Sequence, residues 1–225
     1  MGQKVNPKAF RLGTLYGWAS NWYADKKNYS RFLLEDVKLR RFLFGHLKLA
    51  GITDVRIDRS INTVNITLFV SRPGVVIGRG GSGLEELKKL ITQKLQFASK
   101  SGKTLPAGRQ GPKFELNVIE VKNPDLSARL INLRLADQMA NRYPHRRAVA
   151  QALEKAMSSG AKGIKIVLAG RVGGAEISRT EKYTQGSVPL STIRADIDYF
   201  EQPAFTKFGY VGIKVWVYKG EKETK

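Results

Sequence analysis

The glycine-rich segment RPGVVIGRGGSG, residues 72–83, constrains the fold of this chain more than any other feature. Apolar residues alternate before it, as in a strand with one buried face, at Val64, Ile66, Leu68 and Val70. Apolar residues recur after it at helical spacing, at Leu84, Leu87, Ile91 and Leu95. Pro73 and Gly74 end the strand, so the segment predicts a glycine-rich loop that opens a helix.

The centre of this segment is a GxxG element, Gly78-Arg79-Gly80-Gly81. Glycines have no Cβ and let phosphates approach the backbone, while a helix N-terminus offers free N–H donors and a positive dipole end. KH domains clamp a nucleotide backbone with such a loop. A glycine turn before a helix also occurs with a purely structural role, so the element alone leaves both interpretations open.

The same residues also spell G-x-G-x-x-G, at Gly78, Gly80 and Gly83, which raises the alternative of a dinucleotide-binding enzyme. That fold needs the loop to follow a strand directly and an acidic residue about 20 positions later. Pro73 and Gly74 interrupt the approach, and no Asp or Glu lies between Glu86 and Glu115. The loop also lacks the G-K-[ST] ending of a P-loop, which argues against an NTPase.

The first half of the chain is predicted to be one domain preceded by an arm. Residues 1–29 show no sustained periodicity and predict an extended N-terminal arm. Ser30 can cap a helix that ends at Gly51, and residues 52–71 predict a two-stranded hairpin. Residues 98–113, rich in Gly, Lys and Arg, predict a long basic loop before a strand over 114–121. The domain therefore covers 30–121.

The second half, 122–219, is predicted to be an α+β domain, followed by a short polar tail over 220–225. Asn123 and Pro124 predict the start of one helix, and a second follows Pro144 and ends at Gly160. Alternating residues predict strands at 164–169, 193–199 and 211–218. We therefore expect an α+β chain whose C-terminal helices pack on one side of a mixed or antiparallel sheet.

The charge of the chain points to a polyanionic partner. Lys and Arg number 39 against 19 Asp and Glu, a net charge of +20, which favours nucleic acid or an anionic membrane surface. No stretch approaches the roughly 18 apolar residues that span a bilayer, and no signal peptide is evident. We therefore expect a cytoplasmic protein without a membrane partner.

The residues for catalysis or metal binding are missing from the sequence. There is no Cys, and His46 and His145 are too isolated to form a metal site by themselves. Glu176 and Glu181 lie among basic residues and are better interpreted as ion-pair partners than as an acid/base pair. We expect no enzyme activity, no cofactor and no small-molecule substrate.

A run of basic residues, RYPHRR over 142–147, stands at the start of the second C-terminal helix. A helix N-terminus disfavours cations, so we expect a group outside the helix to compensate them. Arg147, Gln151 and Lys155 share one polar face, which suits contact with a phosphate backbone. A solvated basic face is the alternative.

Several segments together resemble the bacterial form of the third protein of the small ribosomal subunit, and the resemblance runs nearly end to end. They are MGQKVNP, RLG, RPGVVIGRGG, GAKGIK, GRVGGAEISRTE, RADIDY and VGIKVWVYKG. The resemblance implies a type II KH domain at about residues 30–121, a separate C-terminal α+β domain and a place in the head of the small subunit. It also implies binding to ribosomal RNA, ribosomal proteins ten and fourteen as neighbours, and basic residues that help to unwind mRNA where it enters the ribosome.

The resemblance assigns roles to individual residues. The KH loop is Ile77, Gly78, Arg79, Gly80 and Gly81. Arg142, Arg146 and Arg147 are expected to contact incoming mRNA. The third basic position of the family's motif is occupied by Ala150 in this chain. Contacts with ribosomal RNA are expected at Lys4, Arg11, Lys162, Lys165, Arg171, Arg179 and Lys182. The loop over 98–113 is longer than usual for the family.

Overall fold

The computed structural model of the chain describes residues 3–60, 63–99 and 113–222. They form two compact units. The first unit is Trp18–Lys122, and the second joins the N-terminal segment up to Gly17 to the chain from Asn123 onward. In chain order the elements are α1 Pro7–Phe10, β1 Ser20–Asn21, α2 Lys26–His46, β2 Ile52–Arg59, β3 Thr63–Val70, α3 Pro73–Ile77, α4 Ser82–Ser99, β4 Lys113–Glu120, α5 Ala128–Ala140, α6 His145–Ser158, β5 Gly163–Gly170, β6 Arg179–Gly186, β7 Ala195–Thr206 and β8 Gly209–Glu221.

The first unit packs helices against a four-stranded sheet with the order β1-β2-β3-β4. Strands β2 and β3 are antiparallel, as the predicted hairpin requires, and β3 pairs with β4 in parallel. Burial alternates strictly along β3, so one face of the sheet enters the core. That core also receives Leu39 and Leu43 from α2 and Leu87 and Ile91 from α4. The helical and strand periodicities of the first half are thereby confirmed.

Helix α2 differs from its prediction at both ends. It begins at Lys26 instead of Ser30, because the Asp25 carbonyl accepts the Asn28 and Tyr29 N–H groups at 2.9 Å each. Its first turn is exposed and therefore carries no apolar periodicity. It ends at His46, and a 3-10 turn leads to Gly51, whose φ of +65° favours glycine.

The residues predicted as an extended arm are divided between the two units. Asn6 caps α1 by accepting the Lys8 N–H at 2.9 Å, and this short helix belongs to the second unit. Strand β1 extends the sheet of the first unit. Asp36 of α2, 3% exposed, holds this segment by accepting bonds from Ser20 at 3.1 Å and from the Trp22 indole at 2.9 Å. A sequence without periodicity is ordered here by polar bonds to distant residues.

The second unit is an antiparallel sheet with helices on one face. Its strand order is β6-β5-β8-β7, and all three pairings are antiparallel. Helices α5 and α6 contribute Leu135 and Val149 to a core that also contains Ile164, Ile166 and Leu168 of β5. The α+β prediction is confirmed, with an antiparallel sheet.

Two features of this unit were not predicted, and strands β7 and β8 also extend beyond their predicted ends, to Thr206 and to Glu221 in the predicted tail. Strand β6 was missed because it is a polar edge strand in which only Glu181 and Tyr183 are half-buried. The helix predicted at Pro124 begins at Ala128 instead, after a 3-10 turn. The Asp198 side chain, from β7, accepts the Ala128 N–H at 2.8 Å and caps this helix. The local sequence could not show a cap located 70 residues away.

The predicted long loop over 98–113 falls mostly outside the described residues. Residues 98 and 99 belong to α4 and Lys113 to β4, and residues 100–112 lie outside the part of the chain that the structure describes. Within the described ranges, no helix is both long and apolar enough to cross a membrane.

Candidate nucleic-acid interface

The GxxG loop lies between α3 and α4 of the first unit, and its first glycine, Gly78, packs closely against Gly83 in the first turn of α4. A Cβ on Gly78 would come within 2.9 Å of the Gly83 nitrogen, and a Cβ on Gly83 within 2.7 Å of the Val76 carbonyl oxygen. Helix α3 also separates β3 from the loop, so the loop does not follow a strand as a dinucleotide site requires.

The middle of the loop is open to solvent. Gly80 has a φ of +61° and Gly81 a φ of +85°, and a Cβ on either would meet nothing within 4 Å. Glycine is therefore favoured at these two positions because of its positive φ, and not because a side chain would clash with a neighbour. Arg79 beside them is exposed, and Ile77 is 37% exposed. The loop thus presents bare backbone, a cation and an apolar edge together.

The arginines at the start of α6 form a second basic site, in the second unit. Arg146 and Arg147 are exposed, and the first turn of α6 contains no acidic residue. Arg142, also exposed, has a φ of +59°, the left-handed region that glycine normally occupies. It closes α5, where the Tyr143 N–H donates to the Gln138 carbonyl at 2.9 Å.

Glu181 of the edge strand β6 lies against this cationic helix start. Its carboxylate accepts the Tyr183 hydroxyl at 2.6 Å and the Arg179 Nε–H at 2.7 Å. The His145 Nε2 lies 3.1 Å from the Glu181 Oε2. That nitrogen has no well-directed hydrogen bond among the described residues, so we interpret the contact as electrostatic. The expected compensating group is therefore a carboxylate from another element.

The pKa values of this cluster follow from the same contacts. The Tyr183 hydrogen bond, followed by those of Arg179 and the charge of His145, lowers the pKa of Glu181 against the opposing effect of burial. Burial and the Glu181 carboxylate raise the pKa of Tyr183, while Arg146 beside its hydroxyl opposes that rise. Glu181 is thus a stable anion at neutral pH. It was predicted as an ion-pair partner, and Arg179 is a cation that it pairs with.

Arg11 corrects one expected RNA contact. It is 0% exposed, and its guanidinium donates to the backbone carbonyls of Pro7 at 3.0 Å, Leu190 at 2.9 Å and Thr192 at 2.7 Å. A buried guanidinium committed to carbonyls cannot reach RNA. Arg11 instead ties the N-terminal segment to the connection between β6 and β7.

The remaining expected RNA contacts lie in separate places. Lys165 and Lys182 lie on the sheet face opposite the helices, in neighbouring strand positions, and Lys162 and Lys4 are exposed. Arg171 is half-buried and donates to the Ala175 carbonyl at 2.9 Å, whereas Arg179 is already bound to Glu181. Lys214 was not predicted as a contact. It lies on the same face as Lys182, on the other side of Val167, which pairs with both lysines. Its signal was its place in the alternating run of β8.

None of the described residues forms a cluster that could bind a metal ion, as no three His, Asp or Glu side chains converge.

Comparison with known proteins gives the same two-part division. A model of the KH domain matches residues 38–126, and a model of the C-terminal domain of ribosomal protein S3 matches residues 135–217. The small ribosomal subunit protein uS3 of Desulforudis audaxviator is 47% identical over 221 residues, which cover 98% of this chain and 94% of that protein. The uS3 proteins of Persephonella marina and Pediococcus pentosaceus are 46% and 44% identical, over 99% and 98% of this chain and 92% of each relative.

Proposed function

The chain belongs to the uS3 family of small ribosomal subunit proteins, and we propose that it binds ribosomal RNA in the head of that subunit and contacts mRNA as it enters the ribosome. As a uS3 family member it is a structural ribosomal protein and not an enzyme. Its partners are ribosomal RNA and other ribosomal proteins. We infer ribosomal proteins ten and fourteen as neighbours, and a ribosome in the cytoplasm as the location.

The observation that carries the mRNA proposal is the pair of exposed arginines at the start of α6. The apolar face of that helix is formed by other residues, Val149 and Ala152 among them, which are buried. Neither Arg146 nor Arg147 has an acidic partner within the described ranges. Two arginines that contribute little to packing, at an end of a helix that disfavours cations, are suited to an external phosphate backbone.

Ribosomal RNA is proposed to contact the GxxG loop and several separate basic residues of the second unit. The GxxG loop of the first unit, Ile77 to Gly81, offers open backbone for a phosphate. In the second unit, Lys162, Lys165 and Lys182 offer cations, and so do Lys4 and Arg171. Arg179 is proposed to contact RNA while its Nε–H remains bonded to the Glu181 carboxylate.

The test compares the double variant Arg146→Ala, Arg147→Ala with the unchanged chain in binding single-stranded RNA at several salt concentrations. Each lost phosphate contact reduces the slope of log affinity against log salt by about 0.7, so we expect a reduction of about 1.4. The control is Lys26→Ala, Lys27→Ala, which removes the same charge from the exposed start of α2. In reconstituted ribosomes the arginine variant should translate slowly through a stable mRNA hairpin and normally along unstructured mRNA. Equal rates through the hairpin would contradict the unwinding role.

A further inference from the structure

An exposed aromatic pair lies at the tip of the β7–β8 hairpin. Phe205 and Tyr210 are register partners across the two strands, with ring centroids 5.2 Å apart and planes inclined by 58°. They are 68% and 69% exposed. Two large rings left in water at one spot form an apolar surface of the kind that marks interaction sites.

The pair faces away from the helices of the second unit. Its chain neighbours Ala204 and Val211 are buried in the core beneath α5 and α6, and successive side chains of a strand point to opposite faces. On the same outward face, the register places Lys214 across from Glu201, and beyond it Val167 and Lys182. The aromatic pair and the lysines therefore lie on one side of the sheet, which is exposed at the hairpin tip, whereas Val167, Tyr199 and Trp216 farther along it are buried.

The charge of this face favours a nucleic acid over a protein. Lys182 and Lys214 lie on it, the half-buried Lys165 lies over the Trp216 ring, and Lys207 is exposed in the turn next to the rings. The acidic residue among them, Glu201, lies 3.5 Å from the Lys214 Nζ. Exposed rings among cations match single-stranded RNA, in which bases stack on aromatic side chains and phosphates meet Lys or Arg.

A turn connects the hairpin tip with the start of α6. A Cβ on Gly174 would come within 2.8 Å of the Phe208 ring, and a Cβ on Gly173 within 3.3 Å of the His145 ring. The Arg171 guanidinium lies 5.7 Å from the Phe208 ring centroid. One RNA strand could thus reach both the aromatic tip and the arginines that follow His145.

We infer that Phe205 and Tyr210 form a base-stacking site for single-stranded RNA, flanked by lysines that contact the adjacent phosphates. The inference rests on the proposed RNA-binding function. It adds a site that binds bases by stacking, without preference for their sequence. Arg146 and Arg147 bind phosphate, whereas this pair binds the bases of the strand.

The experiment measures binding of the full chain to a fluorescent 12-nucleotide oligoadenosine and to an abasic RNA of the same length. Phe205→Ala, Tyr210→Ala should weaken oligoadenosine binding about tenfold for each base stacked, and leave abasic RNA binding and the salt slope unchanged. Phe205→Tyr, Tyr210→Phe should retain the affinity. The control Ile177→Ala removes an aliphatic side chain that is 82% exposed and should change neither the affinity for oligoadenosine nor that for abasic RNA.

Other results overturn the inference. Equal losses on both RNAs, or no loss on oligoadenosine, would exclude base stacking, and unchanged RNA affinity with failed subunit assembly would identify a protein partner instead. The mRNA proposal is tested separately, because Arg146→Ala, Arg147→Ala should change the slope of log RNA affinity against log salt, whereas the aromatic variant should not. The failure of one proposal therefore does not imply the failure of the other. In reconstituted subunits, photocrosslinking from 4-thiouridine placed either in mRNA or in ribosomal RNA to the peptide containing Tyr210 identifies the source of the strand.

Discussion

Glu181 allows a helix to begin with three basic residues. The dipole of α6 repels the cations Arg146 and Arg147, and the first turn contains no acid to relieve that repulsion. A carboxylate from β6 supplies the missing negative charge and is held by Tyr183 and Arg179. The helix start can therefore remain cationic before any RNA binds, which keeps Arg146 and Arg147 available.

The variant Glu181→Gln should be destabilised by about 1–2 kcal/mol at neutral pH, because it loses charge-assisted hydrogen bonds. The pKa of Glu181 is lowered in the folded protein, so its contribution is present above the unfolded pKa and is lost as the pH falls through the folded value. Urea unfolding of variant and unchanged chain should therefore differ at pH 7 and converge at acid pH. Glu176→Gln, at an exposed position, is the control and should have no effect. A constant difference down to acid pH would contradict this account.

The backbone of Arg142 is strained, so the variant Arg142→Gly should be more stable and yet bind RNA with one phosphate contact fewer. Glycine adopts a φ of +59° freely, so the variant should gain about 1 kcal/mol of unfolding free energy. The same variant loses one cation, and its RNA salt slope should fall by about 0.7 if Arg142 contacts a phosphate. The control Asn141→Gly, at a φ of −82°, should not stabilise the chain. A stable variant with an unchanged slope would remove Arg142 from the RNA interface.

The helices and strands that the sequence predicted are those with one buried face. The residues predicted to alternate along strand β3 are all buried, because burial and periodicity have the same cause. Strand β6 and the first turn of α2 were missed because they are mostly exposed. The start of α5 was misplaced because its cap, Asp198, comes from β7. Local patterns predict what the core determines and not what polar contacts with distant elements determine.

The loop between α3 and α4 should respond differently at two neighbouring glycines. Gly80→Asp meets open space, so the fold should survive at a cost of about 1 kcal/mol for the left-handed backbone, while its charge repels phosphate. Binding of the full chain to single-stranded RNA should weaken, with circular dichroism unchanged. Gly78→Ala is the contrast, since its Cβ would lie 2.9 Å from the Gly83 nitrogen and should destabilise the unit. Unchanged RNA binding by Gly80→Asp would make the loop a structural turn.

The net charge of +20 indicated a polyanionic partner but could not show which basic residues contact it. From the sequence alone, all basic residues in the segments that resemble the family are equally good candidates for an RNA contact. The structure buries Arg11 against carbonyls of residues 189–192 and commits Arg179 to a carboxylate, while Lys214, which was not predicted, joins Lys165 and Lys182 on one face. The assignments of individual residues to mRNA and ribosomal RNA came from the family resemblance, because periodicity and charge do not distinguish the two.

The family resemblance implies a third basic position at residue 150, which is Ala in this chain. Ala150 is exposed on α6, four residues after Arg146 and three after Arg147, so the three side chains share one side of the helix. A lysine there adds a phosphate contact without disturbing the core. We expect Ala150→Lys to steepen the salt slope for single-stranded RNA by about 0.7 and to speed translation through a stable mRNA hairpin in reconstituted ribosomes. The control Ala150→Gln adds a long neutral side chain and should leave both quantities unchanged. A steeper slope without faster passage through the hairpin would show that phosphate binding at this helix is not what limits unwinding.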